Sequence, residues 1–181
     1  FLGDFTDNRP ALLITPEGGR LVQTPKYDER VNTILRETEI TLQPDGSARL
    51  QTADVYRGIA QDIPSALADM PDERRLKYLY EQLSISDFEI TALAFERRKG
   101  RLPEVKQKLE LAIPKLASAS GKRLFVPLAI LSGKHKLPTT VDSLRHFPVQ
   151  AHARGISEED DVVLHVPESY TLENPVAPVA L

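Results

Sequence analysis

The alternation of residues 33–42 with a period of two is the pattern that most restricts the fold. Ile34, Ile40 and Leu42 alternate there with charged side chains such as that of Glu37. This spacing is typical of a strand with one buried face and one solvated face. The chain is therefore expected to build a sheet that covers a core with one of its faces.

A tight turn and a second alternating run follow this strand. Pro44 pre-sets its own φ, and the dipeptide Asp45-Gly46 suits the positive φ of a turn. We predict an antiparallel hairpin of residues 33–42 and 47–57. Its buried face is predicted to consist of Ile34, Ile40, Leu42, Leu50 and Tyr56.

Further strands are predicted along the chain. Glu17-Gly18-Gly19 separates two apolar runs and predicts a smaller hairpin near the start. Residues 105–113 suit either a strand or a helix, but Pro114 would break a helix there, which favours a strand. The other predicted strands are 88–95, 123–131, 147–153, 161–166 and 170–173.

One amphipathic helix is predicted at about residues 71–83. Pro71 suits the first turn, and Leu76, Leu79 and Leu83 recur at helical spacing. Such a stripe normally packs on a core, and a partner-binding helix is the alternative. Many short strands and one accessory helix predict a mainly β fold, an antiparallel β-sandwich.

Composition excludes several classes of site. The 26 acidic and 23 basic residues are well mixed and leave a net charge of −3, which gives no electrostatic case for binding nucleic acid. No apolar stretch approaches the roughly 20 residues that span a bilayer, so membrane insertion is not expected. The absence of Cys excludes disulfides, thiolate nucleophiles and Cys-ligated metals.

The histidine, serine and glycine residues form no catalytic motif. Gly18-Gly19 does not open a helix, and Ser132-Gly133 is a loop without the Gly-x-Ser-x-Gly pattern. The four histidines are His135, His146, His152 and His165, and none of them belongs to a metal-binding motif. His152 and His165 could meet at a metal site if their strands paired, but two solvent-facing histidines are the simpler interpretation.

The charged clusters are also interpreted as structural. The acidic run 158–161 lacks the ligand spacing of a calcium-binding loop and is predicted to be a solvated turn. Asp4, Asp7 and Asn8 suggest a capped turn, and residues 96–101 a charged hairpin tip. The sequence therefore assigns no catalytic residue, no cofactor-binding residue, no metal ligand and no cofactor.

Several segments resemble a known architecture when taken in order. The segment "RPALLI" (9–14) and "GGRLVQTP" (18–25) resemble the strands that close the catalytic domain of large bacterial transglutaminase-like proteins. The following segments resemble the β-rich domain of uncharacterised function that succeeds it: "EITLQPDGSARLQTADVYRG", "GKRLFVPLAIL", "RHFPV" and "DDVVLHVPESYTLENP".

The resemblance implies a domain organisation and a setting. Residues 1–25 would be closing strands of an upstream domain or an edge hairpin, and residues 26–181 an accessory β-sandwich that could divide near 84–87. The chain is thus expected to be a segment of a longer, secreted or periplasmic protein. Its papain-like Cys, His and Asp would lie upstream, and neither Asp4 nor Asp7 matches that Asp.

Three functions remain open on the sequence. The first is a non-catalytic module whose partner is the upstream catalytic domain of the same polypeptide, with an edge strand open to self-association. The second is a binding module for an extracellular glycan or peptide, although only eleven aromatic residues and no Trp weaken it. The third is a hydrolase that uses His and carboxylates, for which no motif is present.

Overall fold

The computed structural model of the chain describes residues 6–128, 130–131 and 155–173. The elements in these residues are β1 (Pro10–Thr15), β2 (Gly18–Gln23), β3 (Thr33–Leu42), β4 (Ala48–Arg57), a 3-10 turn (Gly58–Gln61), α1 (Asp62–Asp69), α2 (Asp72–Gln82), β5 (Glu89–Arg98), β6 (Glu104–Ile113), β7 (Ser118–Ser120), β8 (Arg123–Phe125) and β9 (Ser157–His165). The mainly β class predicted from the sequence is confirmed.

A five-stranded sheet in the order β5-β6-β4-β3-β9 organises the molecule. Its first four strands pair antiparallel, whereas β9 runs parallel to β3. The sheet is therefore mixed and not purely antiparallel. Two further hairpins, β1-β2 and β7-β8, stand as separate two-stranded sheets.

The predicted hairpin of residues 33–42 and 47–57 is confirmed as β3 and β4. Ile40 pairs with Leu50, and both side chains are fully buried, while Glu37 and Glu39 are exposed. Leu42 is also buried. Ile34 and Tyr56 lie half-buried at the other end of the same face. The alternation with period two thus predicted the correct buried face as well as the correct element.

One face of the sheet carries the core. Leu111 and Ile113 of β6 join Ile40, Leu42 and Leu50 there. The segment after β6 covers this end of the face with Leu116, Ala117, Leu124, Val126 and Ile130. The opposite face is polar: its exposed residues include Glu37, Glu39, Arg49, Gln51, Lys106 and Lys108. In the described residues, the layer over the sheet therefore consists of helices and a short hairpin.

The helical region contains two helices where the sequence predicted one. The predicted helix is α2, with Pro71 as its N-cap residue and Leu79 buried. Tyr80 is largely exposed but stacks on Phe88, with ring centroids 4.7 Å apart. The additional helix is α1, whose Pro64 lies in the first turn, where the missing N–H leaves no hydrogen bond unmade.

Three predicted strands need correction or lie outside the description. The strand predicted at 123–131 ends at Phe125, and residues 170–173 form no strand. Pro127 explains the first shortening, because proline cannot donate a ladder hydrogen bond. The strand predicted at 147–153 falls outside the described residues. The strand predicted at 105–113 is confirmed as β6, and that predicted at 88–95 as β5.

The predicted domain boundaries remain predictions. The hairpin near the start is confirmed as β1-β2, with Gly18 and Gly19 in β2. Strands from both sides of residues 84–87 contribute to the same five-stranded sheet.

Asn32 ties three chain segments together at the start of β3. Its fully buried side chain donates through Nδ2 to the carbonyls of Tyr27 (3.2 Å) and Gly155 (3.3 Å), and its Oδ1 accepts the N–H of Ile59 at 3.0 Å. Its backbone carbonyl also accepts the N–H of Ser157 at 3.0 Å. The start of β9 and the turn after β4 are therefore both held by this residue.

Gly58 permits the close approach of that turn to Asn32. Its φ is +62°, and a Cβ placed on it would lie 2.3 Å from Asn32 Oδ1 and 2.9 Å from the carbonyl oxygen of Val31. Gly121, between β7 and β8, has the same φ but has open space around it. The two glycines therefore share a backbone constraint and differ in packing.

We expect Gly58→Ala to destabilise the protein far more than Gly121→Ala. Both variants place an L-residue in the left-handed region, at about 1–2 kcal/mol each. Only Gly58→Ala also displaces the Asn32 side chain and its buried hydrogen bonds, which should add about 1–3 kcal/mol. Equilibrium denaturant unfolding of the two variants measures the difference, and equal losses would contradict the clamp at Asn32.

Candidate functional site

A row of non-aliphatic side chains crosses the face of the sheet that carries the core. It consists of one residue from each strand in register: Asp160, Arg36, Asp54, Gln107 and Phe95. Successive members are direct cross-strand neighbours, so their side chains lie side by side on one face. We take this row and the space above it as the candidate functional site.

Arg36 lies at the centre of a buried ion-pair network. Its Nη1 contacts Glu158 Oε1 and Asp160 Oδ1, each at 2.8 Å, and its Nε lies 3.4 Å from Asp54 Oδ2. Burial alone would lower the pKa of Arg36, but the charge of Asp54 and the hydrogen bond to Glu158 outweigh it and raise that pKa. The guanidinium is thus held charged between two neighbouring strands.

Asp54 accepts hydrogen bonds from three side chains. Besides the contact with Arg36, its Oδ1 accepts the hydroxyl of Thr52, and its Oδ2 accepts the Tyr56 hydroxyl at 2.6 Å. Burial, followed by the adjacent charge of Asp54, raises the pKa of Tyr56. Tyr56 is therefore fixed as a neutral hydrogen-bond donor.

Gln107 differs from its neighbours in the row. The residue is only 7% exposed, yet no residue in the described part of the chain forms a hydrogen bond with its side-chain amide. Its cross-strand neighbours are Asp54 and Phe95. The Arg75 guanidinium lies 5.7 Å from the centroid of the Phe95 ring. Its amide nitrogen and oxygen, those of Gln107, are not among the fully buried polar atoms, so the amide stays in contact with solvent.

An open groove of about 400 Å³ lies above this row. Its floor includes Arg36, Asp54, Tyr56, Gln107 and Glu158. Its walls are mostly apolar and come from the 3-10 turn, α1, α2 and the residue before β9: Ile59, Ile63, Pro64, Leu67, Leu79, Leu83 and Ile156. An apolar concavity with a few convergent polar groups is the usual form of a small-ligand site.

A second groove, of about 470 Å³, lies between β8 and the segment after β9. Its polar side chains include Arg123 and Glu173, which form an exposed ion pair. Exposed pairs of this kind contribute little and are free to rearrange in solvent. The groove above the polar row is therefore the better-defined site.

The acidic run 158–161 is the main correction to the sequence-based interpretation. It was predicted as a solvated turn, but it forms the first half of β9. The side chains of Glu158 and Asp160 point to Arg36, while Glu159 and Asp161 are exposed on the other face. The four carboxylates therefore do not converge on a shared calcium site.

The other residues considered in the sequence are dispersed. His165 is exposed at the end of β9, and His135, His146, His152 and Ser132-Gly133 lie outside the described residues. Asp7 is buried and its Oδ1 accepts the N–H of Tyr27 at 3.2 Å, a contact between segments 20 residues apart and not within a local turn. Asp4 lies outside the description. Asn8 has a φ of 50° and accepts a hydrogen bond from Gln23.

The predicted charged tip at residues 96–101 extends into a strand. Residues 96–98 belong to β5, and Arg97 pairs with Asp69 of α1 at 2.6 Å. The turn between β5 and β6 is accordingly confined to residues 99–103.

The residues present limit the kinds of active site, metal site and membrane segment that can be assigned. With no Cys, the chain itself cannot contain a papain-like active site. No group of three or more His, Asp or Glu among the described residues is placed to hold a metal ion. Neither described helix is long and apolar enough to span a membrane.

The Arg36 network generates a stability prediction. Arg36→Leu should destabilise the protein by about 3–5 kcal/mol, because it leaves the buried carboxylate of Asp54 without its cation and removes the partner of the partly exposed Glu158 and Asp160. Arg97→Leu, which breaks the exposed pair with Asp69, is the matched control and should leave the unfolding midpoint nearly unchanged. Thermal and denaturant unfolding measure both variants; similar effects would show that the buried network is not special.

The raised pKa of Tyr56 generates a pH prediction. A group whose pKa is higher in the folded state stabilises the fold fully below its unfolded pKa of about 10 and loses this contribution as pH rises through the folded value. Stability should therefore fall above about pH 10, and less steeply in Tyr56→Phe. Denaturant unfolding from pH 8 to 11 gives the two slopes, and identical slopes would contradict this assignment.

Comparison with known proteins returned no match: no protein-family model, no curated protein and no solved structure is similar to this chain.

Proposed function

We propose that the chain is a non-catalytic accessory module that packs against, or spaces, a transglutaminase-like domain of the same polypeptide in a secreted or periplasmic protein. The observation that carries this proposal is the exposed β1-β2 hairpin. The resemblance of residues 9–25 to closing strands of such a domain supplies the identity of the partner.

The hairpin presents an apolar face that nothing in the described structure covers. Leu12, Ile14 and Leu21 are 62%, 72% and 79% exposed. Leu12 and Leu21 are cross-strand partners, and Ile14 is two residues further along β1, so all three share one face. A two-stranded hairpin is marginally stable without further packing. Such a face therefore favours docking onto another domain.

The chemistry of the remaining residues supports a non-catalytic role. Glu158 and Asp160 are ion-paired with Arg36, and Asp54 is occupied by three donors. These contacts give the three carboxylates a structural role in holding Arg36, Thr52 and Tyr56 in place. A papain-type reaction requires a thiolate and its base within hydrogen-bonding distance, and the chain has no Cys.

A binding module for an extracellular peptide or glycan is the second candidate. The groove above the polar row favours it, because the groove has the size and the mixed lining of a ligand site. Tyr56 and Tyr78 are its aromatic lining residues among those described. Two partly buried rings make a poor stacking platform for sugars, so the groove favours a peptide-like ligand over a glycan.

The hairpin proposal predicts the effect of Leu12→Thr, Ile14→Thr and Leu21→Thr combined. In the isolated chain this variant should keep the unfolding midpoint of the main sheet, because these side chains contribute nothing to its core. In the continuous polypeptide with its upstream domain, the variant should lower the unfolding temperature of that domain by several degrees. Differential scanning calorimetry of both forms measures the two effects.

Leu172→Thr is the control, since Leu172 is equally exposed but lies outside the hairpin. Loss of cooperative unfolding in the isolated triple variant would show that the hairpin belongs to this module. An upstream reading frame without in-frame Cys, His and Asp codons would contradict the identity of the partner. Amide hydrolysis or cross-linking by the purified chain would overturn the non-catalytic role.

A further inference from the structure

The side-chain amide of Gln107 faces the groove and forms no hydrogen bond with the described residues. The residue lies on the buried face of β6 between Val105 and Leu109, both of which are almost completely buried. Its side chain lines the groove. The amide nitrogen and oxygen are not fully buried, so their hydrogen-bonding capacity is directed at the contents of the groove. A ligand in the groove can replace solvent at this amide.

The adjacent Asp54 defines the charge that a ligand would meet. An ionised carboxylate offers about four acceptor positions. Thr52, Tyr56 and Arg36 donate to three of them. Asp54 and Gln107 are direct cross-strand partners and both line the groove, so the carboxylate and the side-chain amide lie beside each other. Two adjacent acceptors suit a group with several N–H donors.

The surrounding charges favour a cation over an anion. Arg36 is the cation in the floor of the groove among the described residues, and it already contacts three carboxylates. An anionic ligand would therefore approach more carboxylates than free cationic groups. A cationic group would approach Asp54 without displacing Arg36.

The walls of the groove determine the rest of the ligand. Ile59, Leu79 and Leu83 line it beyond the polar floor, and Ile63 is 60% exposed. A volume of about 400 Å³ accommodates a small molecule or one amino-acid side chain with its backbone. The ligand should therefore combine a compact cationic end with an aliphatic body.

We propose that this groove is a binding site for amphipathic amines. The ammonium group donates to Gln107 Oε1 and Asp54, and the aliphatic chain lies against Ile59, Leu79 and Leu83. The site is independent of the hairpin and of any upstream domain. Free alkylamines and the lysine side chain share this chemistry. Comparing an alkylamine with a lysine-containing tripeptide distinguishes these two sources.

Three probes with the same tail isolate the contribution of the head group. Hexylammonium, 1-hexanol and hexanoate are titrated into the intact chain and followed by calorimetry and by the side-chain amide resonances of Gln107. We expect hexylammonium to bind and to shift those resonances, hexanol to bind at least tenfold more weakly, and hexanoate not to bind. Equal binding of hexylammonium and hexanol, or no binding of hexylammonium, would overturn the proposal.

Gln107→Leu tests the named residue, with Gln51→Leu on the exposed face of β4 as the matched control. Gln107→Leu should weaken hexylammonium binding at least tenfold while the unfolding midpoint stays nearly constant, because the amide forms no hydrogen bond with the described residues. Gln51→Leu should change neither. Unaltered affinity in Gln107→Leu would contradict the site, and a large drop in its midpoint would show that the amide serves the fold instead. If that variant does not fold, the head-group series on the native chain decides the question.

Discussion

The parallel edge of the sheet depends on the buried charge of Arg36. An arginine in the middle of a buried sheet face is costly unless carboxylates compensate it, and two of its three partners come from β9. Glu158 and Asp160 are two residues apart, so both face Arg36 only in the observed register. A slip by one residue would turn both to the solvated face and leave the guanidinium with Asp54 alone. The interaction therefore specifies the position of β9 more than it stabilises the sheet.

The antiparallel part of the fold was predictable because its signals are local. In β3 and β4 the period of two, the Pro-Asp-Gly turn and the apolar face all lie within 25 residues and agree with one another. The same holds for β6, where Pro114 excluded the helix. The predicted strand at 170–173 shows the limit of this approach: an apolar alternation of four residues carries no information about a partner strand, and it finds none in the described structure.

The position of β9 could not be predicted in the same way. Its first half is a run of four acidic residues, which propensity assigns to a turn. The two residues of β9 that contact Arg36 lie more than 120 positions after it in the sequence. The one local signal was indirect: Arg36, Asp54 and Gln107 occupy positions that alternate in phase with buried aliphatic residues. A charged residue in a buried phase requires a partner, although the sequence does not say which one. The candidate site escaped a search for motifs because each strand contributes a single residue to it.

The attachment of β9 at the edge of the sheet also means that the strands differ in their resistance to local opening. β3, β4, β6 and β5 are consecutive in the sheet and joined by antiparallel ladders, so opening an inner strand disturbs the strands on both of its sides. β9 is an edge strand, bound to this unit along a single ladder, at Asn32 and through Arg36. We therefore expect β9 to separate at a lower free energy than the inner strands of the sheet. Such a separation would uncover the backbone of β3 as a new edge and remove Glu158 and Ile156 from the groove, so that ligand occupancy and the closure of this edge are thermodynamically linked.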